Sequence, residues 1–520
     1  VTTSVSRSGR PSNRRLVAFA AAAAVLALLL SGCVTWFQPP RPASTVSKPT
    51  GEKVEAALEP FYSQVLRWHA CAGGFQCATA KAPMNWAEPG RASIDLALIR
   101  HTASGAPLGS LLVNPGGPGA SGVDFVKESL SYAVDSKLQQ HYDIVGFDPR
   151  GVGGSSAVDC GGATVLDQFI YGIVPGTPGS DSWIANAEAE NGQFGQSCLD
   201  HTGPLLQYVD TVSAARDLDL LRAVLGDKKL NYLGYSYGTF LGATYADLYP
   251  KKTGRLVLDG ALDPATTDFD VTLTQAKGFE SAFRAYLKDC IGQKDCPFHG
   301  SVDQAMDDTH QILQQLQAHP IAGSDGRELG ANTMFTAIIL PLYNRDNWSY
   351  LNQLFADVKK GGTSVAFQLA DSYNDRSSSG TYSSNETEAF TAINCLDYAN
   401  DANVDDMRRQ AAELAQQAPV FGPVMSWGGT SCAKWPFTGT RDRAAIHADG
   451  SAPILVVGTT NDPATPYVWA QNLAKELQNG HLVTRKGEGH TGYNKGNSCV
   501  DSAVDDFFVD GKVPASDPKC

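Results

Sequence analysis

The stretch Leu230–Phe240 reads LNYLGYSYGTF and places Ser236 between Gly234 and Gly238. A serine hydroxyl is a weak nucleophile and acts only beside a base that a third group orients. An apolar run precedes Ser236 and a helical pattern follows it, the strand–turn–helix setting of a nucleophile elbow. The two glycines suit a turn too tight for side chains, and the helix start behind Ser236 favours developing negative charge. In that setting the chain order is serine, acid, histidine. ILVVGTTND ends in Asp462, and TRKGEGHTGY carries His490 between Gly489 and Gly492. Asp259 and Asp263, after an earlier apolar run, are rival orienters. The oxyanion needs backbone N–H donors. Tyr237 offers one, and NPGGPG (Asn114–Gly119) offers the other from Gly116 or Gly117. No Gly-Lys-Ser/Thr follows those glycines, which excludes a phosphate loop. Arg150, in the neighbouring FDPRGVGGSS, reads as structural, and Thr465 reads as the cap of the helix that begins near Pro466.

These residues require strands that end at one rim. ASIDLALIRHTA alternates, and Leu108–Asn114, His141–Asp148, Leu230–Tyr235 and Arg255–Leu262 are short apolar runs bounded by turn residues. Such runs suit strands buried on both faces of a parallel sheet. A helical pattern follows in TVSAARDLDLLRAVLGD and again after Ser236, so the fold class is α/β with a mainly parallel sheet. From about residue 263 to 440 strand signals fade. TQAKGFESAFRAYLKDCI, DQAMDDTHQILQQLQAH and DDMRRQAAELAQQA read as helices of an inserted cap. Strand signals return with APILVVGTTND and HLVTRKGEGH. The expected division is core at 61–262, helical cap at 263–440 and core again at 441–520.

The N-terminus belongs to none of these. Arg7, Arg10, Arg14 and Arg15 precede an apolar run of 15 residues, Leu16–Leu30. A membrane span needs about 20, so the run suits a signal peptide. Leu30-Ser31-Gly32-Cys33 then has the pattern of a bacterial lipoprotein signal, with 1–32 removed and Cys33 lipidated. Residues 33–60 begin Pro-, Ser- and Thr-rich and read as a tether. The chain has 11 cysteines, and setting Cys33 aside leaves ten. Outside the membrane an even set points to disulfides. The simplest pairing is sequential: Cys71–Cys77, Cys160–Cys198, Cys290–Cys296, Cys395–Cys432 and Cys499–Cys520. No Cys-x-x-Cys or His-Glu-x-x-His is present, so neither metal nor cofactor is expected. Removing the four leader arginines takes the formal net charge from −13 to −17, which argues against nucleic acid as partner.

NPGGPG, DPRGVGGSS, GYSYGT, TTNDPATP and GEGH, in that order, resemble the proline-iminopeptidase-like branch of the α/β hydrolases. The resemblance is nearest to secreted actinobacterial tripeptidyl aminopeptidases and their lipoprotein relatives labelled carboxylesterase A, and it runs from about Cys71 to Cys520. It implies the α/β-hydrolase fold, a helical cap, and an exopeptidase that releases short peptides from a free N-terminus. It also implies that acidic cap residues hold the substrate ammonium, with Asp397 first and Glu386 or Glu388 behind it. The expected protein is exported and anchored through Cys33 to the outer face of the cytoplasmic membrane. A monomer is expected. A carboxylesterase or lipase acting on small esters or envelope lipids is the alternative, since the machinery is shared. A non-catalytic peptide-binding lipoprotein is weaker, because Ser236, Asp462 and His490 all occur in order.

Overall fold

The computed structural model describes residues 45–399, 402–439 and 443–520. The expected signal segment, its expected cleavage site and Cys33 lie outside the described residues.

A sheet of ten strands carries the molecule. In chain order they are β1 (Thr45–Val46), β2 (Arg67–Ala70), β3 (Gln76–Pro83), β4 (Ser93–His101), β5 (Ser110–Asn114), β6 (Asp143–Phe147), β7 (Leu230–Tyr235), β8 (Thr253–Asp259), and, after a small cap hairpin of β9 (Ile321–Ala322) and β10 (Glu328–Leu329), β11 (Ile454–Asn461) and β12 (Gly480–Glu488). Their spatial order is β1-β2-β3-β4-β6-β5-β7-β8-β11-β12. Pairing is parallel from β6 to β12 and antiparallel from β1 to β6. Every residue of β5 is buried, as expected of a central strand covered on both faces. The short antiparallel edge β1–β3 has no counterpart in the sequence expectations. This is the α/β-hydrolase fold.

Between β8 and β11 the chain forms the cap. Its helices include Asp268–Cys290, Val302–Ala318, Ala331–Leu342, Trp348–Val358, Ser364–Tyr373, Glu386–Asp397 and Val404–Gln417. Two of them begin with capping boxes, Thr267 with Asp270 and Ser301 with Gln304. The cap has a hydrophobic core of its own, in which Phe283 contacts the rings of Phe298, Phe355 and Phe421.

One expectation changes. Composition alone makes 33–60 a tether, yet residues 45–60 lie on the core. Thr50 N–H donates to the Ala223 carbonyl, and Glu52 pairs with Arg222 at 2.9 Å and Lys252 at 2.7 Å. The polar loop near Ser377–Glu388 is strapped down. Arg376 and Tyr382 both bond Asp167, and the Asn385 side chain bonds Gly151, Gly153 and Val158 backbone. Five disulfides join the sequential cysteine pairs 71–77, 160–198, 290–296, 395–432 and 499–520.

Candidate active site

Strand β7 ends at Tyr235 and the helix Tyr237–Leu248 begins two residues later. Ser236 occupies the corner with φ 54°, a conformation that costs a non-glycine residue free energy. Its N–H donates to the Asp259 carbonyl at 2.9 Å, and its carbonyl accepts the Thr239 N–H and hydroxyl. The flanking glycines are sterically required. A methyl at Gly234 would lie 2.3 Å from the Gly238 carbonyl, and one at Gly238 would lie 2.6 Å from Asn114 Oδ1.

His490 follows β12. Its Nδ1 lies 2.9 Å from both Asp462 oxygens. Asp462, 2 % exposed, also accepts the N–H groups of Ala464, Thr465 and Thr491 and the Thr465 hydroxyl. A carboxylate so satisfied stays where it is and fixes the ring. Thr465 is therefore no helix cap: its hydroxyl serves Asp462, and Pro466 precedes the helix with no side-chain cap. The cap supplies further support. The Tyr343 carbonyl accepts the His490 N–H at 2.8 Å, and the Tyr343 ring meets the imidazole edge-on at 5.3 Å. The rival acids do other work. The Asp263 carboxylate accepts Ala265 N–H and Asn472 Nδ2, and that of Asp259 accepts the Gly492 and Tyr493 N–H groups. Both the elbow and the histidine loop reach the end of β8. Asp259 holds Ser236, and a methyl on the next residue, Gly260, would lie 3.2 Å from His490 Cε1.

The loop after β5 passes over Ser236. A methyl at Gly116 would come within 2.9 Å of Ser236 Cβ and 3.2 Å of Tyr237 N. The structure separates the two glycines. The Gly116 N–H donates to Asn114 Oδ1 at 3.1 Å, whereas those of Gly117 and Tyr237 have no acceptor among the described residues. Gly117 and Tyr237 thus remain as donors for an oxyanion, with Gly116 shaping the approach.

The three cap carboxylates differ. Asp397 accepts the N–H and hydroxyl of Thr211, and that hydroxyl also bonds the Tyr237 phenol. Burial pushes its pKa up to about 6 against those bonds. Each oxygen takes a bond from Thr211, so the Asp397 carboxylate is anchored to the start of the helix at Thr211. Glu388 is buried, and one of its oxygens accepts the Cys160 N–H at 2.8 Å. Glu386 opens the same helix and has no hydrogen-bond or ion-pair partner for its carboxylate among the described residues. A methyl at Gly117 would lie 3.3 Å from Glu386 Oε1, so this free carboxylate faces the oxyanion loop. Burial, and then the Asp375 charge, push its pKa up to about 7. Arg150 is buried, pairs with both oxygens of Asp217 at 2.7 Å, and donates to the carbonyls of Pro83, Met84 and Tyr208. It is structural.

Residues 418–520 match the profile of a family described as TAP-like protein. Serine protease Hip1 of Mycobacterium tuberculosis is 35% identical over 543 residues, covering 99% of this chain and 99% of that protein. Carboxylesterase B of the same species is 34% identical over 451 residues, 86% of each chain. Tripeptidyl aminopeptidase of Streptomyces lividans is 29% identical over 475 residues, 88% of this chain and 86% of its own.

Proposed function

We propose, for a chain that belongs to the α/β-hydrolase family of serine protease Hip1 and carboxylesterase B and is a serine hydrolase, that it is an exported aminopeptidase which removes short peptides from free N-termini. The observation that carries this reading is the unpaired Glu386 carboxylate beside the oxyanion loop.

The chemistry follows from the placement of each group. With Nδ1–H directed at Asp462, His490 presents Nε2 as the base. Nε2 takes the hydroxyl proton as Ser236 Oγ forms a bond to the scissile carbonyl carbon. The carbonyl π electrons move to oxygen, and the oxyanion accepts the Gly117 and Tyr237 N–H groups. Asp462 stabilises the imidazolium. The carbonyl re-forms, the C–N bond breaks, and His490 returns the proton to the leaving amine. Water, deprotonated by the same Nε2, releases the acyl group from Ser236.

Glu386 supplies the direction. Consecutive Cα atoms are ~3.8 Å apart, which places Glu386 Oε1 within about 13 Å of Ser236 Cβ. An extended peptide advances ~3.3–3.6 Å per residue, so an ammonium held there suits an attacked carbonyl a few residues from the N-terminus. This supports release of short peptides.

The test compares a free N-terminal tripeptide amide reporter with its N-acetylated twin, using wild type, Ser236→Ala and Glu386→Gln. Expected is turnover of the free form alone, abolished in Ser236→Ala, with KM raised about ten- to hundredfold in Glu386→Gln, the worth of one charged hydrogen bond. Equal turnover of both reporters would move the protein to the esterase reading, which the likeness to carboxylesterase B keeps open.

Export with a lipid anchor at Cys33 belongs to the same proposal, supported by the leader pattern. Metabolic labelling with palmitate, lost in Cys33→Ala, is the expected result; a label retained there would remove the anchor.

A further inference from the structure

Two residues of the site hold backbone conformations that L side chains avoid: Ser236 at φ 54° and Thr491 at φ 68°. Thr491 is β-branched and follows His490 directly, so its strain is the greater. Strained turns persist only where their surroundings over-determine them. Both turns close on one residue. The Asp259 carbonyl accepts the Ser236 N–H at 2.9 Å. The Asp259 carboxylate accepts the Gly492 N–H at 2.8 Å and the Tyr493 N–H at 2.8 Å. The main chain of Asp259 therefore grips the nucleophile elbow while its side chain grips the histidine loop.

The surroundings allow little slack. Asp259 is fully buried. Burial raises its pKa, while the Tyr493 and Gly492 N–H groups and the Lys495 ammonium act against that rise. The next residue has to be glycine. A methyl at Gly260, itself at φ 67°, would lie 3.0 Å from Thr465 Oγ1, 3.1 Å from Thr491 Cγ2 and 3.2 Å from His490 Cε1. Asp462 holds the imidazole but does not touch the elbow; Asp259 touches elbow and loop but not the ring.

We propose that Asp259 is a positioning residue that sets the register between Ser236 and His490, by holding both strained turns at the end of β8. It takes no proton and touches no substrate. The inference rests on Ser236 and His490 acting as nucleophile and base.

The experiment uses Asp259→Asn and Asp259→Glu in the full chain, with a fluorophosphonate that esterifies the active serine. Asn keeps the shape but turns an N–H donor toward the loop's N–H groups. Glu keeps the charge but displaces it by one methylene. Near-UV circular dichroism gives the folded fraction, burst titration the number of competent sites, and the labelling time course their rate. Expected in the folded protein is a full count of sites, labelled about ten- to a hundredfold more slowly, with peptide kcat falling in step and KM within twofold. Competent sites that label at the wild-type rate in either variant, with loss only in folded fraction or Tm, would make Asp259 merely structural and overturn the proposal. Should Asn fail to fold, the Glu variant reads the same rate. Ser236→Ala separates the two ideas: persistent labelling there removes the nucleophile assignment itself, whatever the Asp259 variants do.

Discussion

Glu386 is a carboxyl in two minds near neutrality, because burial has moved it from an ordinary value of 4.5 to about 7. Only its ionised form attracts an ammonium. KM for a free-amine peptide is therefore expected to fall as pH rises through about 7, before the substrate amine itself deprotonates at ~8, and KM for an N-acetylated ester to stay level, in steady-state assays from pH 5.5 to 7.5. Stability runs the other way. The folded pKa lies above the unfolded one, so the group's contribution is full below about 4.5 and is lost as pH rises through about 7. Glu386→Gln should thus unfold at a higher temperature than wild type at pH 8, and with little difference at pH 4, in calorimetric scans. Asp397 behaves differently. Asp397→Ala should cost about 1–3 kcal/mol in denaturant unfolding, because the Thr211 N–H loses its buried acceptor, while discrimination for the free amine is unchanged. The sequence made Ser236, Asp462 and His490 readable because elbow, order and loop glycines are local signals. The choice among Glu386, Glu388 and Asp397 was not readable. Each is an acid on one helix, and only tertiary contacts with Thr211 and Cys160 decide which stays free.

At the scale of elements, the helix Glu386–Asp397 joins the cap to both halves of the site. Its first turn faces the oxyanion loop, its last residue bonds Thr211, and the Cys395–Cys432 disulfide ties it near its C-terminal end. Replacing both cysteines by serine should lower stability by about 3–4 kcal/mol on the loop-entropy estimate. It should also raise KM for free-amine peptides more than for acetylated esters, a split that parallel kinetics would show. Equal changes on both substrates would place the helix outside substrate selection. The central strands were legible because runs buried on both faces are continuously apolar. The edge β1–β3 was not, since two of its strands have only two and four residues and carry no periodicity.

For the whole molecule, the segment before β2 shows how far composition can mislead. Proline, serine and threonine mark a flexible chain, yet Glu52 lies beside the fully buried Arg222 side chain, itself paired with Asp219. A chain beginning at residue 61 should be less stable than one beginning at residue 45 by about 1–3 kcal/mol, as charged hydrogen bonds are lost, in paired thermal melts. Equal melting would return residues 45–60 to the role of spacer. The contact of Tyr343 with His490 has a wider meaning. The catalytic base hangs from the cap by the Tyr343 carbonyl and leans on its ring. A cap that swung clear would carry both supports away, so the open molecule is a disarmed one.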